Sequence, residues 1–180
     1  MKNITRILFA SAVLLVGLTL VSCAQSHAPL ETVPYVDLQK YTGTWYEIAS
    51  FPQRFQKGCY CSKAEYKLHP EGYVEVYNSC LKDSSTGNLK DVTGKAFVTD
   101  KQTNAKLKVQ FFWPFKGDYW IIDLAPDYSY AVVGESSRKY LWILSRSRNM
   151  SAEVYQQILA RTARKGFDNS KLKLTDQSCK

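Results

Sequence analysis

The chain has 180 residues, of which 45% are hydrophobic and 13% aromatic, and its formal net charge is +8. This length suits one domain with a sizeable core and is too short for two, and the composition excludes a disordered chain. Lys and Arg are scattered among acidic residues without a block of like charge or a known nucleic-acid-binding motif, so we do not expect a nucleic acid as a partner.

Residues 1–22 form a separate unit. Lys2 and Arg6 lead into an apolar run of about 15 residues, which is short for a membrane-spanning helix and favours a cleaved export signal. The ending Leu-Val-Ser-Cys at residues 20–23 resembles the bacterial lipobox, whose cysteine is acylated and becomes the first residue; the alternative is an ordinary signal peptide with a coincidental cysteine. Ala24, rather than Asp, follows Cys23, and by resemblance to Gram-negative lipoproteins this favours the outer over the inner membrane. We therefore expect a periplasm-facing protein anchored to outer-membrane lipid through Cys23.

Residues 23–36 contain two prolines and little periodicity, so we interpret them as a tether and place the domain at residues 37–180. Within this domain, strand signals recur at short spacing with turn residues between them, a pattern typical of an antiparallel barrel or sandwich. Eight strands are predicted, at residues 45–51, 64–68, 73–77, 91–99, 106–112, 119–124, 130–134 and 140–145.

One later segment departs from the strand pattern. Residues 151–165 have apolar positions at helical spacing, with Ser151 as a candidate N-cap and Gly166 after the last turn. A short final strand is expected at residues 171–175. Eight antiparallel strands followed by one helix can close a barrel wide enough for one small ligand. The predicted fold is therefore all-β, an eight-stranded antiparallel up-and-down barrel with one C-terminal α-helix packed outside.

Four cysteines remain besides Cys23, namely Cys59, Cys61, Cys80 and Cys179. In an exported protein they imply two disulfides, for which three connectivities are open. Cys59 and Cys61 would alternatively form half of a metal site. Such sites usually include histidine ligands, and the two histidines of the chain lie in the tether and in a predicted turn, so no metal is expected.

Three short motifs carry a resemblance to a known family. Gly43 and Trp45 open the first strand, Asp127 and Tyr128 lie between the sixth and seventh strands, and Arg146 ends the eighth. In this order they resemble the three lipocalin signatures, Gly-x-Trp, Thr-Asp-Tyr and a terminal basic residue, although proline replaces the threonine of the second. The resemblance covers nearly all of the domain and is closest to the bacterial lipocalins and the apolipoprotein D branch.

The resemblance also implies how the framework is held. In the family, the first-strand tryptophan packs under the terminal arginine, which implies a scaffold role for Trp45 and Arg146. In apolipoprotein D, a cysteine at the start of the second strand is bridged to the cysteine of the C-terminal tail. Carried over to this chain, the same pairing implies a Cys61–Cys179 disulfide, and the two remaining cysteines would form the Cys59–Cys80 disulfide. Counting back from the turn at residues 69–72 also places Cys59 opposite Cys80.

By the same resemblance, the ligand is a fatty acid or a lysophospholipid, held inside the barrel without a cofactor and without bond chemistry. Each inward aromatic residue has core packing as its alternative role. Tyr66, Asn78, Phe111 and Trp142 align with pocket positions of the apolipoprotein D branch. The strand pattern adds the inward candidates Phe97, Trp113, Tyr119 and Tyr130.

Two other functions receive less support from the sequence. A minority of lipocalins are isomerases or de-epoxidases, but the chain has no strand histidine and no nucleophile elbow, and Glu47 and Asp123 have no evident partner, so an enzyme is not expected. A haem or tetrapyrrole carrier would have only tyrosine as an axial ligand. Whether two barrels pair as a homodimer stays open.

Overall fold

The computed structural model describes residues 28–179 of the chain. Its helices are α1 (Leu38–Tyr41) and α2 (Ala152–Arg164), with 3-10 turns at Arg54–Gln56 and Asn169–Lys171. Its strands are β1 (Gly43–Ser50), β2 (Cys59–Leu68), β3 (Val74–Lys82), β4 (Leu89–Val98), β5 (Lys106–Phe112), β6 (Phe115–Leu124), β7 (Tyr130–Gly134), β8 (Leu141–Ser145) and β9 (Lys173–Leu174).

The strands form one closed antiparallel barrel. From β2 to β8, each strand pairs with the next strand in the chain, and β1 closes the ring by pairing with both β8 and β2. The predicted eight-stranded up-and-down barrel is confirmed. The short β9 is added to β1 at Ala49 and Ser50. Closure pairs the backbone groups that an open sheet would leave free at its edges.

The barrel has two different ends. The closed end is covered by α1 and formed by residues 36–42, 69–73, 99–105, 125–129 and 146–151. The opposite end, which we call the rim, is formed by residues 51–58, 82–90, 112–116 and 135–140.

Side chains alternate between the two faces of each strand and so build two cores. The inner core fills the barrel and contains Trp45, Val76, Leu107 and Val133 among others. The outer core lies between the barrel wall and α2. Its members include Ile122, Val132, Leu141, Ile143, Ile158 and Phe167.

Helix α2 begins and ends where the sequence indicated. The Oγ of Ser151 accepts a hydrogen bond from the Val154 N–H at 3.2 Å, and Gly166 follows the helix with φ +85°. An apolar stripe that includes Ile158 packs against the outer wall of the barrel. The predicted external helix is confirmed.

The C-terminal segment completes the barrel wall. Residues Gly43 to Tyr46 of β1 pair with β2. Beyond Tyr46, the C-terminal residues 173–179, which we call the tail, lie between the two strands. The Cys61 N–H donates to the carbonyl of Asp176 at 2.7 Å, and the Gln177 amide donates to the carbonyls of Glu47 and Ser62, both at 2.8 Å.

Both predicted disulfides are confirmed. Cys61 and Cys179 join β2 to the tail with their Cα atoms 6.2 Å apart, and Cys59 and Cys80 join β2 to β3 at 5.4 Å. The predicted register is wrong, because Cys59 pairs with Lys82. Continued without interruption, the pairing of Leu68 with Val74 would place Cys59 opposite Asp83, and a bulge between residues 60 and 63 moves it by one position to Lys82. The bridge to Cys80 therefore runs diagonally over two positions of β3.

Residues 28–36, which the sequence analysis placed in the tether, lie against the barrel. Leu30 and Val36 are buried, and the Val33 and Val36 N–H groups donate to the carbonyls of Ile121 and Thr103. The folded part therefore begins earlier than predicted. The expected signal peptide (residues 1–22) and the expected lipidation site Cys23 lie outside the described residues.

Between residues 28 and 179, neither helix combines the length and the apolar character that crossing a membrane requires.

Candidate functional site

The inner core encloses a small cavity near the closed end. Its volume is about 20 Å³, whereas pockets for small-molecule ligands measure roughly 300–1,000 Å³. Aliphatic and aromatic side chains therefore fill most of the interior. The cavity is lined by Leu38, Tyr41, Thr42, Tyr66, Val74, Val76, Ala96, Leu107, Val109 and Tyr119.

Three tyrosines of this lining form a hydrogen-bonded cluster, which we call the tyrosine cluster. The Tyr119 hydroxyl lies 2.8 Å from that of Tyr41 and 2.9 Å from that of Tyr66. They come from α1, β2 and β6, which only the closed barrel brings together. Because three hydroxyl protons serve two bonds, the cluster keeps one proton with which it can donate to a further oxygen.

The tyrosine cluster is uncharged. Burial raises the pKa of Tyr66 to about 12 and holds the pKa values of Tyr41 and Tyr119 well above the ordinary value. The hydroxyls therefore remain neutral at physiological pH. They can donate to a carboxylate or carbonyl oxygen without a phenolate charge to repel it.

A second polar group lies on β1. The buried Glu47 carboxylate accepts hydrogen bonds from Ser50 Oγ (3.0 Å), Thr175 Oγ1 (2.6 Å) and Gln56 Nε2 (2.7 Å). The side-chain oxygen of Gln56, Oε1, in turn accepts a hydrogen bond from the Trp142 indole N–H at 3.2 Å. These bonds join β1, β8, the rim and the tail.

Glu47 and Asp123, for which the sequence showed no evident partner, both have structural partners. Asp123 faces outwards and forms an ion pair with Arg161 of α2, with Nε and Oδ2 separated by 2.6 Å. Both carboxylates are engaged in contacts between elements, and these contacts stabilise the fold.

Five of the eight predicted ligand residues lie inside the barrel. Tyr66 and Tyr119 belong to the tyrosine cluster, and Phe111 and Trp142 pack against the inner core. The Asn78 Oδ1 atom is buried and has no hydrogen-bond partner among the described residues. Because an unpaired buried acceptor costs free energy, a ligand that donates a hydrogen bond to Asn78 Oδ1 would be stabilised there.

The other three predicted ligand residues lie outside, and their assignment to the interior is corrected. Phe97 follows the inward Ala96 and stacks outside with Tyr73 and Lys116, while Tyr130 precedes the inward Ala131 and accepts a bond from Arg161. In both cases, strand alternation turns the side chain outwards. Trp113 lies in the turn after β5 and is 85% exposed.

Sequence reasoning missed Tyr41 and the aliphatic lining. Tyr41 precedes the first strand, in a segment where no element was predicted, yet it is only 5% exposed. The signal in the sequence is its place two residues before Gly43, which puts it on the turn that covers the closed end.

The signature residues form the framework of the closed end. The Arg146 guanidinium lies 3.8 Å from the centroid of the fully buried Trp45 ring, and it donates to the carbonyls of Thr44 and Lys40. The Trp45 indole N–H donates to the carbonyl of Tyr41 at 2.8 Å. The family resemblance implied this stacking, and the structure contains it.

The remaining signature residues hold the same end. The Tyr128 hydroxyl accepts a hydrogen bond from the Asp37 N–H at 2.9 Å. Hydrogen bonds from the Ser129 side chain and from its N–H lower the pKa of the Asp127 carboxyl. Gly43 has φ +90°, a conformation that side chains disfavour, and a Cβ there would lie 3.4 Å from the Arg146 guanidinium.

Comparison with known proteins gives a consistent result. Residues 36–177 match the family of the lipocalin-like domain. The outer membrane lipoprotein Blc of Escherichia coli K12 is 42% identical over 153 residues, covering 84% of this chain and 86% of that protein. Apolipoprotein D of Macaca fascicularis is 34% identical over 150 residues, covering 78% of this chain and 77% of that protein.

Solved structures share the barrel. Insecticyanin from the tobacco hornworm Manduca sexta superposes with a TM-score of 0.67 at 23% identity, covering 83% of this chain and 85% of that one. This likeness concerns the fold. The family match, in contrast, spans the whole barrel and includes all three signature motifs. The chain therefore belongs to the lipocalin family.

Proposed function

We propose that the barrel binds the acyl chain of a fatty acid or lysophospholipid, as a carrier or store, while acylated Cys23 holds the protein at the outer membrane. The observation that carries the proposal is the interior itself: an apolar lining with one uncharged hydroxyl cluster that has a proton to donate. The Blc relative, by its name an outer membrane lipoprotein, supports the location.

The chemistry of the lining fits an acyl chain. Burial of apolar surface contributes about 25 cal/mol per Å², so the chain provides most of the binding free energy. The interior must widen for it, and the aliphatic lining residues make only dispersion contacts, which ligand methylenes can replace. The tyrosine cluster then fixes the position of one ligand oxygen.

The first experiment is native mass spectrometry of the protein purified from its own host. We expect a bound species with the mass of a fatty acid or a lysophospholipid. A bound porphyrin, or a small molecule that the protein converts to product, would contradict the proposal.

The second experiment tests the tyrosine cluster. Displacement of a fluorescent fatty acid by palmitate is compared for the wild type and Tyr119→Phe. Loss of the hydroxyl that joins the cluster is expected to weaken binding about 5- to 10-fold, the effect of one buried hydrogen bond. Tyr155→Phe, half-buried between α2 and the outside of the barrel wall, is the matched control and should bind as the wild type does. Equal affinities for all three proteins would exclude the cluster from the site.

Asn78 separates the two ligand classes. The glycerol hydroxyl of a lysophospholipid can donate to the unpaired Asn78 Oδ1, and a fatty acid carboxylate cannot. Asn78→Ala should therefore weaken binding of palmitoyl lysophosphatidylcholine by about 5-fold more than binding of palmitate. An equal loss for both would show that Asn78 does not bind the glycerol hydroxyl.

The anchor has its own test. Cys23→Ala should move the exported protein from the membrane fraction to the soluble periplasmic fraction. Retention in the membrane would show that Cys23 is not the anchor.

A further inference from the structure

The rim carries most of the large apolar side chains that the described residues leave exposed. Eight such side chains occur between residues 28 and 179, and six lie on the rim: Phe55, Leu89, Phe112, Trp113, Phe115 and Tyr140. Three of them form the tip of the β5–β6 hairpin, with exposures of 70% for Phe112, 85% for Trp113 and 77% for Phe115. A concentration of aromatic residues in the most exposed turn marks a contact surface.

The same surface is positively charged. The four rim segments contain seven Lys and Arg residues and two acidic ones, whereas the closed-end segments contain four of each. One of the two acidic rim residues, Glu135, is buried and accepts hydrogen bonds from the Ser137 and Lys139 N–H groups. The rim thus presents exposed aromatic rings among cations, the combination that suits an anionic lipid surface.

The N-terminal segment begins, among the described residues, at the rim. The Arg138 guanidinium, on the rim, donates to the carbonyl of Ala28 at 2.5 Å. Cys23 precedes Ala28 by five residues, which reach at most about 17 Å. A tilted strand of ten residues, such as β6, extends about 25 Å along the barrel axis. Five residues are therefore too short to bring the closed end to the membrane surface instead.

We infer that the rim docks on the anionic bilayer surface to which Cys23 is anchored, with the Phe112–Phe115 tip inserted into the interface. This inference rests on the proposed anchor for its orientation, but the docking surface is the protein's own. Its consequence is that the barrel interior opens towards lipid, so that an acyl chain passes between bilayer and barrel without crossing bulk water.

The test uses the full processed chain reconstituted into vesicles of phosphatidylethanolamine and phosphatidylglycerol. A fraction of the lipid carries a spin label near the headgroup, which quenches nearby tryptophan. We expect clear quenching in the wild type and its loss in Trp113→Phe, which leaves Trp45, Trp120 and Trp142 in place as a common background. Tyr35→Trp in the Trp113→Phe chain supplies a matched control, because Tyr35 is 58% exposed near the closed end and should not be quenched.

The outcomes separate docking from anchoring. Flotation with the vesicles at high salt reports the Cys23 anchor, and quenching is also read at low salt with Cys23→Ala, where rim contacts alone hold the chain. Lys90→Gln with Lys116→Gln should reduce that low-salt quenching. Equal quenching of the wild type and Trp113→Phe, both in the anchored chain and in the Cys23→Ala chain at low salt, would overturn the inference. The same result is expected if a second copy of the chain, and not lipid, covers Trp113. Quenching of the Tyr35→Trp reporter would overturn the orientation.

Discussion

The two ends of the barrel are built by different means. At the closed end, Trp45, Arg146 and Tyr128 are tied to backbone groups by directed hydrogen bonds, and the segments there have balanced charge. Towards the rim, two disulfides hold the chain, and aromatic side chains are left exposed. The difference teaches that one barrel can concentrate packing stability at one end and leave the other free for external contacts.

The largest expected effect concerns the covalent links on the rim side. Loss of the Cys61–Cys179 bridge, with both cysteines changed to serine, should lower the free energy of unfolding by about 4–5 kcal/mol, since it closes a loop of 118 residues. The same change at Cys59 and Cys80, which close a loop of 21 residues, should cost about 3 kcal/mol. Urea unfolding of the two double variants measures both. A larger loss for the shorter loop would show that strand pairing, and not chain entropy, sets the effect.

The next effect compares one residue type at the two ends. Trp45→Ala removes a fully buried ring and the surface under Arg146, and should lower the free energy of unfolding by about 3–5 kcal/mol. Trp113→Ala removes an exposed ring, so its effect should stay within about 0.5 kcal/mol. Both are measured by urea unfolding followed by circular dichroism. Similar losses for the two variants would remove the distinction between the ends.

A smaller effect appears at high pH. Burial raises the pKa of Tyr66 in the folded protein to about 12, above the unfolded value near 10, so the folded state retains the proton longer. This stabilisation is fully present below pH 10 and is lost as the pH rises from 10 through 12, by an amount on the order of 2–3 kcal/mol. Thermal unfolding in this window should show a shallower fall in Tm for Tyr66→Phe than for the wild type. Tyr35→Phe, at an exposed position, is the control and should follow the wild type.

Much of the fold could be predicted because its signals are local. Alternation and turn residues predicted β5 and β7 with their observed limits, and the caps of α2 lie where Ser151 and Gly166 indicated. Other limits differ at the rim, where β6 begins at Phe115 and not at Tyr119. There, polar and glycine residues pair through their backbones, which the side-chain pattern does not reveal.

The candidate site was harder to predict for two reasons. It depends on which alternate residues of each strand face inwards, and on contacts between residues that are distant in the sequence. Bulges in β1, β2 and β6 shift the alternation by one residue, and a single shift reverses the face of every later side chain. Phe97 and Tyr130 lie in strands with regular alternation, and there the sequence does not show which of the two alternating sets of side chains faces inwards. The tyrosine cluster joins residues that lie up to 78 positions apart, and no local pattern indicates such a meeting.

The C-terminal tail, which completes the wall between β1 and β2, has a consequence for biosynthesis. The chain is synthesised from its N-terminus, so Asp176, Gln177 and Cys179 arrive after every strand of the barrel. Until they do, the separated parts of β1 and β2 lack the backbone partners that these residues provide. Completion of the wall between β1 and β2, and formation of the Cys61–Cys179 bridge, therefore come after synthesis of all eight barrel strands.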